Sequence, residues 1–230
     1  MIGPILGGVP KIRYTSDATN VVFDGNSLVF GQGSSGGQSM PAQLAALAPI
    51  GGRLSITNLG ISGQNLGQMR SNASDVDGAW VDGKRNVLLV WEGTNALNYG
   101  GTVNNAYNDT AAYCAERLAL HPWLIVLLTT IPRQNQGATQ ADTDAYNAKL
   151  TDYNTRIKSG YKAMGAKAVI DVRQEGSPFA FANYLPATFD APGVGSLWAS
   201  EGAMRVHLNN AGYGVVAQMV ADGLKRLPAR

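Results

Sequence analysis

Hydrophobic residues collect in five short runs along the chain, and segments with helical periodicity separate these runs. Two of the runs, Asn86–Glu92 and Leu124–Ile131, are almost continuously apolar. Such runs are typical of central parallel strands that are covered on both faces. We predict the other three strands over Asn20–Asp24, Leu54–Leu59 and Ala168–Val172. The pattern therefore predicts five β-strands that alternate with helices.

Two helical segments show their periodicity most clearly. Before the fifth strand, apolar residues repeat at spacings of three and four from Tyr146 to Met164, and Gly165 follows as a C-cap. The last helix is predicted to begin at Asn209 or Asn210 and has one apolar face. Alternating β and α units form a parallel sheet with right-handed crossovers. We therefore predict an α/β fold, a doubly wound three-layer α/β/α sandwich with a five-stranded parallel sheet.

The length of the chain, 230 residues, suits one domain. A domain of this size buries about 70% of its unfolded surface, so it needs no metal or disulfide to fold. Because no repeat or linker divides the chain, we predict a single domain over residues 1–230, with residues 1–18 as an N-terminal extension. Residues 172–206 lack periodicity, and irregular loops of that length inside a domain are usually functional. We predict that they form a long active-site loop.

Composition and charge argue against several classes of binding partner. The 18 basic and 16 acidic residues are scattered and give a net charge of only +2, which disfavours nucleic acid and membrane insertion. No cysteine–histidine cluster and no phosphate-binding loop with lysine occurs, so we predict no metal and no cofactor. Cys114 lies at helical spacing among apolar residues and is predicted to be core. The N-terminus lacks the pattern of a signal peptide, which predicts a soluble chain and leaves its compartment and oligomeric state open.

Candidate chemistry lies directly after the first three strands. The segments Asp24–Leu28, Asn58–Gly63 and Glu92–Asn95 are turns rich in glycine and small polar residues. In a parallel sheet, all three open on the same carboxyl edge, where active sites of such folds lie. A serine hydroxyl, backbone amides and an asparagine amide therefore converge there. Acyl transfer needs such a set, a nucleophile with donors aimed at a developing oxyanion.

A serine nucleophile also needs a base, and the chain has only two histidines. His121 ends the third predicted helix and enters the fourth strand, which places it at the opposite, amino-terminal pole of the sheet with a structural role. His207 lies between the long loop and the last helix, so it can return to the carboxyl edge. We predict Ser27 as the nucleophile and His207 as its base.

Four motifs resemble the blocks of the SGNH (GDSL-like) hydrolase family. They are Phe23–Leu28 (FDGNSL), Asn58–Gly63 (NLGISG), Gly93–Asn95 (GTN) and Val206–Asn209 (VHLN). Each motif alone is weak evidence for the family. Four motifs in the right order, each at its expected strand end or before the last helix, are specific to it. The resemblance implies a flavodoxin-like fold.

The resemblance also implies an activity and roles for the site residues. It implies a serine esterase that forms an acyl-enzyme on Ser27, with an oxyanion hole made of the amides of Ser27 and Gly60 and the side chain of Asn95. The substrate partner is then a small-molecule or saccharide ester, with short-chain acyl esters or carbohydrate O-acetyl esters favoured. Two readings of other classes stay open: a catalytically degenerate carbohydrate-binding module of the same fold, and an acyltransferase that uses the same acyl-enzyme.

The sequence departs from the family pattern at three positions. Asn26 replaces the usual aspartate before the serine, and Ala96 replaces the aspartate after the asparagine of the third block. Met204 occupies the position of the triad acid, and a thioether cannot stabilise an imidazolium.

The substitutes for the triad acid are Glu201, which we take as the tentative acid, a main-chain oxygen of residues 198–205, and Asp190. Asp171, at the end of the fifth strand, is predicted to be structural.

Overall fold

The computed structural model describes residues 19–47, 53–98, 100–133, 139–179, 197–199 and 206–227. Within them the chain forms one parallel sheet whose strands lie in the order β2-β1-β3-β4-β5. This is the flavodoxin-like order, and it confirms the predicted fold class. The strands are β1 Thr19–Gly25, β2 Leu54–Asn58, β3 Arg85–Trp91, β4 Leu124–Leu128 and β5 Ala168–Ile170.

Eight helices lie in the described part of the chain, more than the alternation of five predicted strands with helices requires. The additional helices are short turns after strands or beside longer helices, too short to show a periodic pattern. The helices are α1 Ser27–Phe30, α2 Met40–Ala46, α3 Leu66–Ser71, α4 Ser74–Gly78, α5 Thr94–Asn98, α6 Val103–Leu120, α7 Gln140–Gly160 and α8 Asn210–Arg226.

Two hydrophobic cores lie on opposite faces of the sheet. Successive residues of a strand point to opposite faces, so Val21 and Phe23 of β1 enter one core while Val22 enters the other. Helices α2 and α8 pack over the first face, and α3, α6 and α7 cover the second. Because both faces are covered, the central strands need the continuous apolar runs seen in the sequence.

The predicted strands differ from the observed ones mainly at their carboxyl ends. β4 ends at Leu128, three residues before the predicted end, and side chains bind the backbone of the residues that follow. Thr129 O accepts from the Trp91 indole at 3.0 Å, and the Thr130 amide donates to Asn154 Oδ1 at 2.8 Å. The apolar run therefore predicts the buried segment correctly but overestimates the length of the strand.

Helix ends and isolated residues follow their local chemistry. Asn209 is the N-cap of α8, since its side chain accepts from the Gly212 amide. Cys114 is buried in α6, as predicted, and burial raises the pKa of its thiol to about 12. No helix in the described ranges is long and apolar enough to cross a membrane.

Candidate active site

Ser27 is placed by the turn between β1 and α1. Asn26 caps α1, and its Oδ1 accepts from the Leu28 amide at 2.8 Å. Gly25 precedes this cap, where any Cβ would collide with the carbonyl of Trp91. The turn therefore brings the serine to the carboxyl edge of the sheet directly after the strand. The Ser27 amide has no acceptor among the described residues, so it is open to an oxyanion.

His207 meets Ser27 across 180 residues of sequence. Its Nε2 lies 2.8 Å from Ser27 Oγ, and both side chains are buried. The predicted contact between these two residues is thus confirmed. A short antiparallel bridge holds the histidine segment: the Ala199 amide donates to the His207 carbonyl at 3.0 Å, and the Asn209 amide donates to Leu197 O at 3.0 Å. The hydroxyl and imidazole are in the geometry that general-base catalysis requires.

Asn95, in the first turn of α5, has its amide orientation fixed by two partners. Its Nδ2 donates to the Gln64 carbonyl at 2.9 Å, and its Oδ1 accepts from Arg133 Nη2 at 3.1 Å. A side-chain amide carries two N–H donors. One of them is used by Gln64, and the second is left for another acceptor. The Arg133 contact prevents the amide from turning its oxygen toward that acceptor.

Gly60 lies against α1, where a Cβ would collide with the Phe30 amide. Its own amide donates to Asn58 Oδ1 at 3.0 Å, so this N–H is already used. Gly63, three residues later in the same motif, adopts a φ of +83° and its amide has no acceptor within the described ranges. Both glycines belong to the second motif. The sequence alone does not show which amide lacks an acceptor, because that depends on backbone φ angles and hydrogen bonds.

Glu92 is a site residue that the sequence analysis did not single out. It is buried directly after β3, accepts from the Asn26 side chain, and accepts from the amides of Asn95 at 3.0 Å and Ala96 at 2.9 Å. Burial raises the pKa of Glu92 to about 7, against the hydrogen bonds and the Arg133 charge, which lower it. Its only signal in the sequence is a glutamate at the end of an otherwise apolar strand.

A second buried carboxylate, Asp24, lies at the end of β1. It accepts from the Tyr113 hydroxyl and from Gln64 Nε2 at 3.3 Å. Burial raises the pKa of Asp24 to about 6, while these hydrogen bonds oppose the shift. Gln64 Nε2 also donates to Gly25 O at 2.5 Å. Gln64 therefore ties the end of β1 to Asn95, which donates to its carbonyl.

Arg133 supplies a buried cation beside this network. Its side chain is 4% exposed and lies over the ring of Tyr146, with 5.4 Å from the guanidinium carbon to the ring centre. Asn147 holds its backbone on both sides, accepting from the Arg133 amide at 3.0 Å and donating to its carbonyl at 2.8 Å. No local pattern indicates this role, since the contact to Asn95 spans 38 residues.

The candidates for the third triad member divide into two groups. Glu201, Met204 and Asp190 lie outside the described residues. Asp171 is described and is engaged elsewhere: it accepts from Lys158 Nζ at 2.8 Å and from Thr129 Oγ1 at 3.0 Å. Although burial pushes its pKa upward, these bonds hold the pKa of Asp171 below its usual value. These partners fit the structural role that the sequence predicts for Asp171.

A cavity of about 370 Å³ adjoins the second motif. It is lined by Ile61, Ser62, Gly63, Gln64, Gln68, Ser71 and Asn72. Amides and hydroxyls dominate this lining, and it contains no charged side chain. Among the described residues, no group of three histidine, cysteine or acidic side chains could hold a metal ion.

Comparisons with known proteins agree with this fold. A family model, the GDSL-like Lipase/Acylhydrolase family, matches residues 23–215. The structure resembles a lipolytic protein of the G-D-S-L family from Veillonella parvula, with a TM-score of 0.66 and 17% identity over 91% of this chain and 100% of that one.

Two further structures are similar at the level of fold. A putative GDSL-like lipase from Parabacteroides merdae has a TM-score of 0.64 and 19% identity over 90% of this chain and 95% of that one. Axe2, an acetylxylan esterase from Geobacillus stearothermophilus, has a TM-score of 0.59 and 16% identity over 92% and 97%. No curated protein sequence matches the chain.

Proposed function

The chain belongs to the GDSL-like lipase/acylhydrolase family, and on that premise we propose that it is a serine esterase that cleaves carboxylic esters through an acyl-enzyme on Ser27. The observation that carries the proposal is the 2.8 Å contact between Ser27 Oγ and His207 Nε2. A buried hydroxyl bound to a buried imidazole at the carboxyl edge of the sheet is the arrangement of an activated nucleophile.

The proposed reaction has two steps. His207 Nε2 takes the Ser27 hydroxyl proton while Oγ attacks the ester carbonyl, and the same proton then goes to the departing alcohol as the C–O bond breaks. Water next gives a proton to His207 as its oxygen attacks the acyl-enzyme. The proton returns to Ser27 Oγ when the carboxylic acid leaves, so the enzyme is restored.

The oxyanion formed in each step needs donors. We assign the Ser27 amide and the free N–H of Asn95 Nδ2, since both are open to a new acceptor. The third donor is a glycine amide of the second motif. Gly60 fills this role only by giving up its bond to Asn58, whereas the Gly63 amide has no such bond in the described structure. A crystal structure of a phosphonate adduct on Ser27 decides between them by the distance from each amide to the phosphonyl oxygen.

The third member of the proposed triad is the group that accepts from His207 Nδ1. Glu201 is our tentative choice, because it precedes the histidine in the same loop. If its carboxylate accepts from His207 Nδ1, Glu201→Gln lowers kcat strongly, since the imidazolium loses a countercharge. If a main-chain oxygen of residues 198–205 fills the role, Glu201→Gln leaves kcat nearly unchanged.

Short-chain acyl esters and carbohydrate O-acetyl esters are the proposed substrate class. The neutral polar cavity beside the second motif supports it, because amides and hydroxyls suit sugar hydroxyls. Acetylxylan esterases among the similar structures support it as well. A degenerate binding module is the second candidate, and Met204 in the acid position is the observation that favours it. The hydrogen bond between Ser27 and His207 speaks against it, because binding alone needs no such pair.

The test is turnover of p-nitrophenyl esters of increasing acyl length and of acetylated xylo-oligosaccharides. Wild type is expected to favour acetyl esters, and Ser27→Ala is expected to be inactive with a free energy of unfolding within about 1 kcal/mol of wild type. Ser159→Ala is the matched control, because Ser159 lies on α7 and its hydroxyl donates to the Arg156 carbonyl. Equal turnover in Ser27→Ala would remove Ser27 from the mechanism. Ester products with added alcohols would indicate acyl transfer.

A further inference from the structure

Asn26 and Glu92 bind each other at the carboxyl edge of the sheet, and each also holds a backbone. The Asn26 side-chain nitrogen donates to Glu92 Oε2, and its oxygen accepts from the Leu28 amide at 2.8 Å. The other carboxylate oxygen of Glu92 accepts from the Asn95 amide at 3.0 Å. The two side chains therefore join the first turn of α1 to the first turn of α5.

We propose that Asn26 and Glu92 form a positioning pair, which sets the distance between Ser27 on α1 and Asn95 on α5. The inference rests on the proposed esterase function, because these two helices carry the proposed nucleophile and oxyanion donor. Neither member of the pair touches substrate in that mechanism. Both act through the residues next to them, and both are buried, at 0% and 2% exposure.

The pair has a fixed polarity. Asn26 must turn its oxygen toward the Leu28 N–H, so its NH₂ group faces Glu92. Glu92 must then offer one oxygen to that NH₂ and the other to the amides of α5. Only a group with two acceptor oxygens satisfies both, and an ionised carboxylate is such a group. This explains why an asparagine precedes the serine here: an aspartate would face a second buried carboxylate.

Each single exchange breaks this pattern. In Glu92→Gln, every orientation of the two amides sets an NH₂ group against another N–H donor, at Asn26, at Leu28 or at α5. In Asn26→Asp, two buried carboxylates lie at hydrogen-bond distance and cannot both be charged, so the pair needs an added proton that the native pair does not need. Unsatisfied buried donors and paired like charges are costly, so the α1 and α5 turns must move apart.

The double exchange restores the pattern with the opposite polarity. In Asn26→Asp/Glu92→Gln, the new carboxylate accepts from the Leu28 amide with one oxygen and from the new glutamine NH₂ with the other. The glutamine oxygen then accepts from the Asn95 and Ala96 amides. Every donor and acceptor of the native pair thus regains a partner. If the matching of donors and acceptors is what positions Ser27 and Asn95, the double variant therefore regains kcat.

The experiment is a double-variant cycle on the full chain, with kcat and KM for p-nitrophenyl acetate and urea unfolding of each variant. Each single variant is expected to lose about tenfold or more in kcat with KM changed less than about twofold. The double variant is expected to lie within about threefold of wild type. Asn154→Asp is the matched control, because Asn154 is a buried asparagine whose bonds run to Thr130 and not to Glu92. Adding Glu92→Gln must not rescue it.

A double variant no better than the worse single variant, or one that fails to fold, would overturn the pair. Recovery of folding without recovery of kcat would reduce the pair to a structural role and also overturn the proposal. Absence of turnover in wild type contradicts the esterase function itself. An active wild type without rescue contradicts the positioning pair alone.

Discussion

The two ends of the parallel sheet bury polar groups in different ways. At the amino-terminal end, Asn20 Nδ2 donates to Asn86 Oδ1 at 2.7 Å and to Ala79 O at 2.8 Å, so neutral groups bind each other. At the carboxyl end lie two buried carboxylates, Asp24 near the end of β1 and Glu92 directly after β3. Neutral pairs lose little on burial, whereas a buried carboxylate pays a desolvation cost unless it is well bonded.

The two histidines show the same difference. His121, at the amino-terminal end, stacks on Trp80 with ring centres 4.9 Å apart and meets Trp123 edge-on. His207, at the carboxyl end, bonds the hydroxyl of Ser27. One residue type thus has a packing role at one end and a proton-accepting geometry at the other. The two buried carboxylates and the histidine that bonds Ser27 lie at the end where we propose the chemistry.

The largest expected effect separates the two histidines. His207→Ala is expected to lower kcat about 10⁴-fold or more, because Ser27 loses its base. His121→Ala is expected to leave kcat within about twofold and to lower the free energy of unfolding by about 1 kcal/mol through the lost stacking. Ester turnover and urea unfolding of both variants measure this contrast. A large loss of kcat in His121→Ala would contradict the division between the two ends.

A smaller effect is expected from a pair of asparagines. Asn95→Ala is expected to lower kcat by about 10²–10³ with little change in KM, the usual loss for one oxyanion donor. Asn20→Ala, its counterpart at the amino-terminal end, is expected to cost about 1–3 kcal/mol of stability because Ala79 O and Asn86 Oδ1 lose a donor. Its kcat per folded molecule should not change. An Asn95→Ala effect confined to KM would make Asn95 a substrate-binding residue.

The buried carboxylates give the carboxyl end a pH signature. Burial raises the pKa of Glu92 to about 7 and that of Asp24 to about 6, so between pH 5 and 7 the folded chain binds more protons than the unfolded one. The free energy of unfolding is therefore highest at the acidic end of this window and falls as the pH rises through the folded pKa values, by on the order of 1–3 kcal/mol. Urea unfolding at several pH values measures the slope.

Glu92→Gln sharpens this measurement, because it removes one of the two titrating groups. Its slope between pH 5 and 7 should be shallower than that of wild type, whatever its absolute stability. Groups whose pKa is lowered on folding, such as Asp171 and Asp222, change stability below this window and do not interfere. Stability that does not change from pH 5 to 7 in wild type would mean that both carboxylates are charged throughout.

The fold and the pair of Ser27 and His207 can be predicted from the sequence, and the reason is physical. Parallel strands bring their carboxyl ends to one edge, so residues directly after each strand are neighbours even without coordinates. Ser27 and Asn95 follow strands, and His207 precedes the last helix, so their positions could be inferred.

The supporting residues could not be inferred in this way. Glu92, Gln64 and Arg133 act through contacts that span 31 to 66 residues. Apart from the position of Glu92 at the end of an apolar run, nothing in the local pattern distinguishes them from turn or surface residues. The choice between Gly60 and Gly63 depends on a φ angle and a hydrogen bond, which a motif does not record.

The smallest effect is expected from a third carboxylate at the carboxyl end, Asp171, whose loss should change stability and kcat little. Asp171 follows β5, yet its partners are Lys158 and Thr129, and both it and the lysine are partly exposed. An ion pair with solvent access contributes at most about 1 kcal/mol, so Asp171→Asn is expected to lower the free energy of unfolding by less than that. Its kcat should stay within about threefold of wild type, and its pH–stability slope between pH 5 and 7 should match wild type because its pKa lies below that window. Ester turnover and urea unfolding at two pH values check both points. A large fall in kcat would make Asp171 part of the catalytic machinery and would extend the chemistry to the edge strand of the sheet.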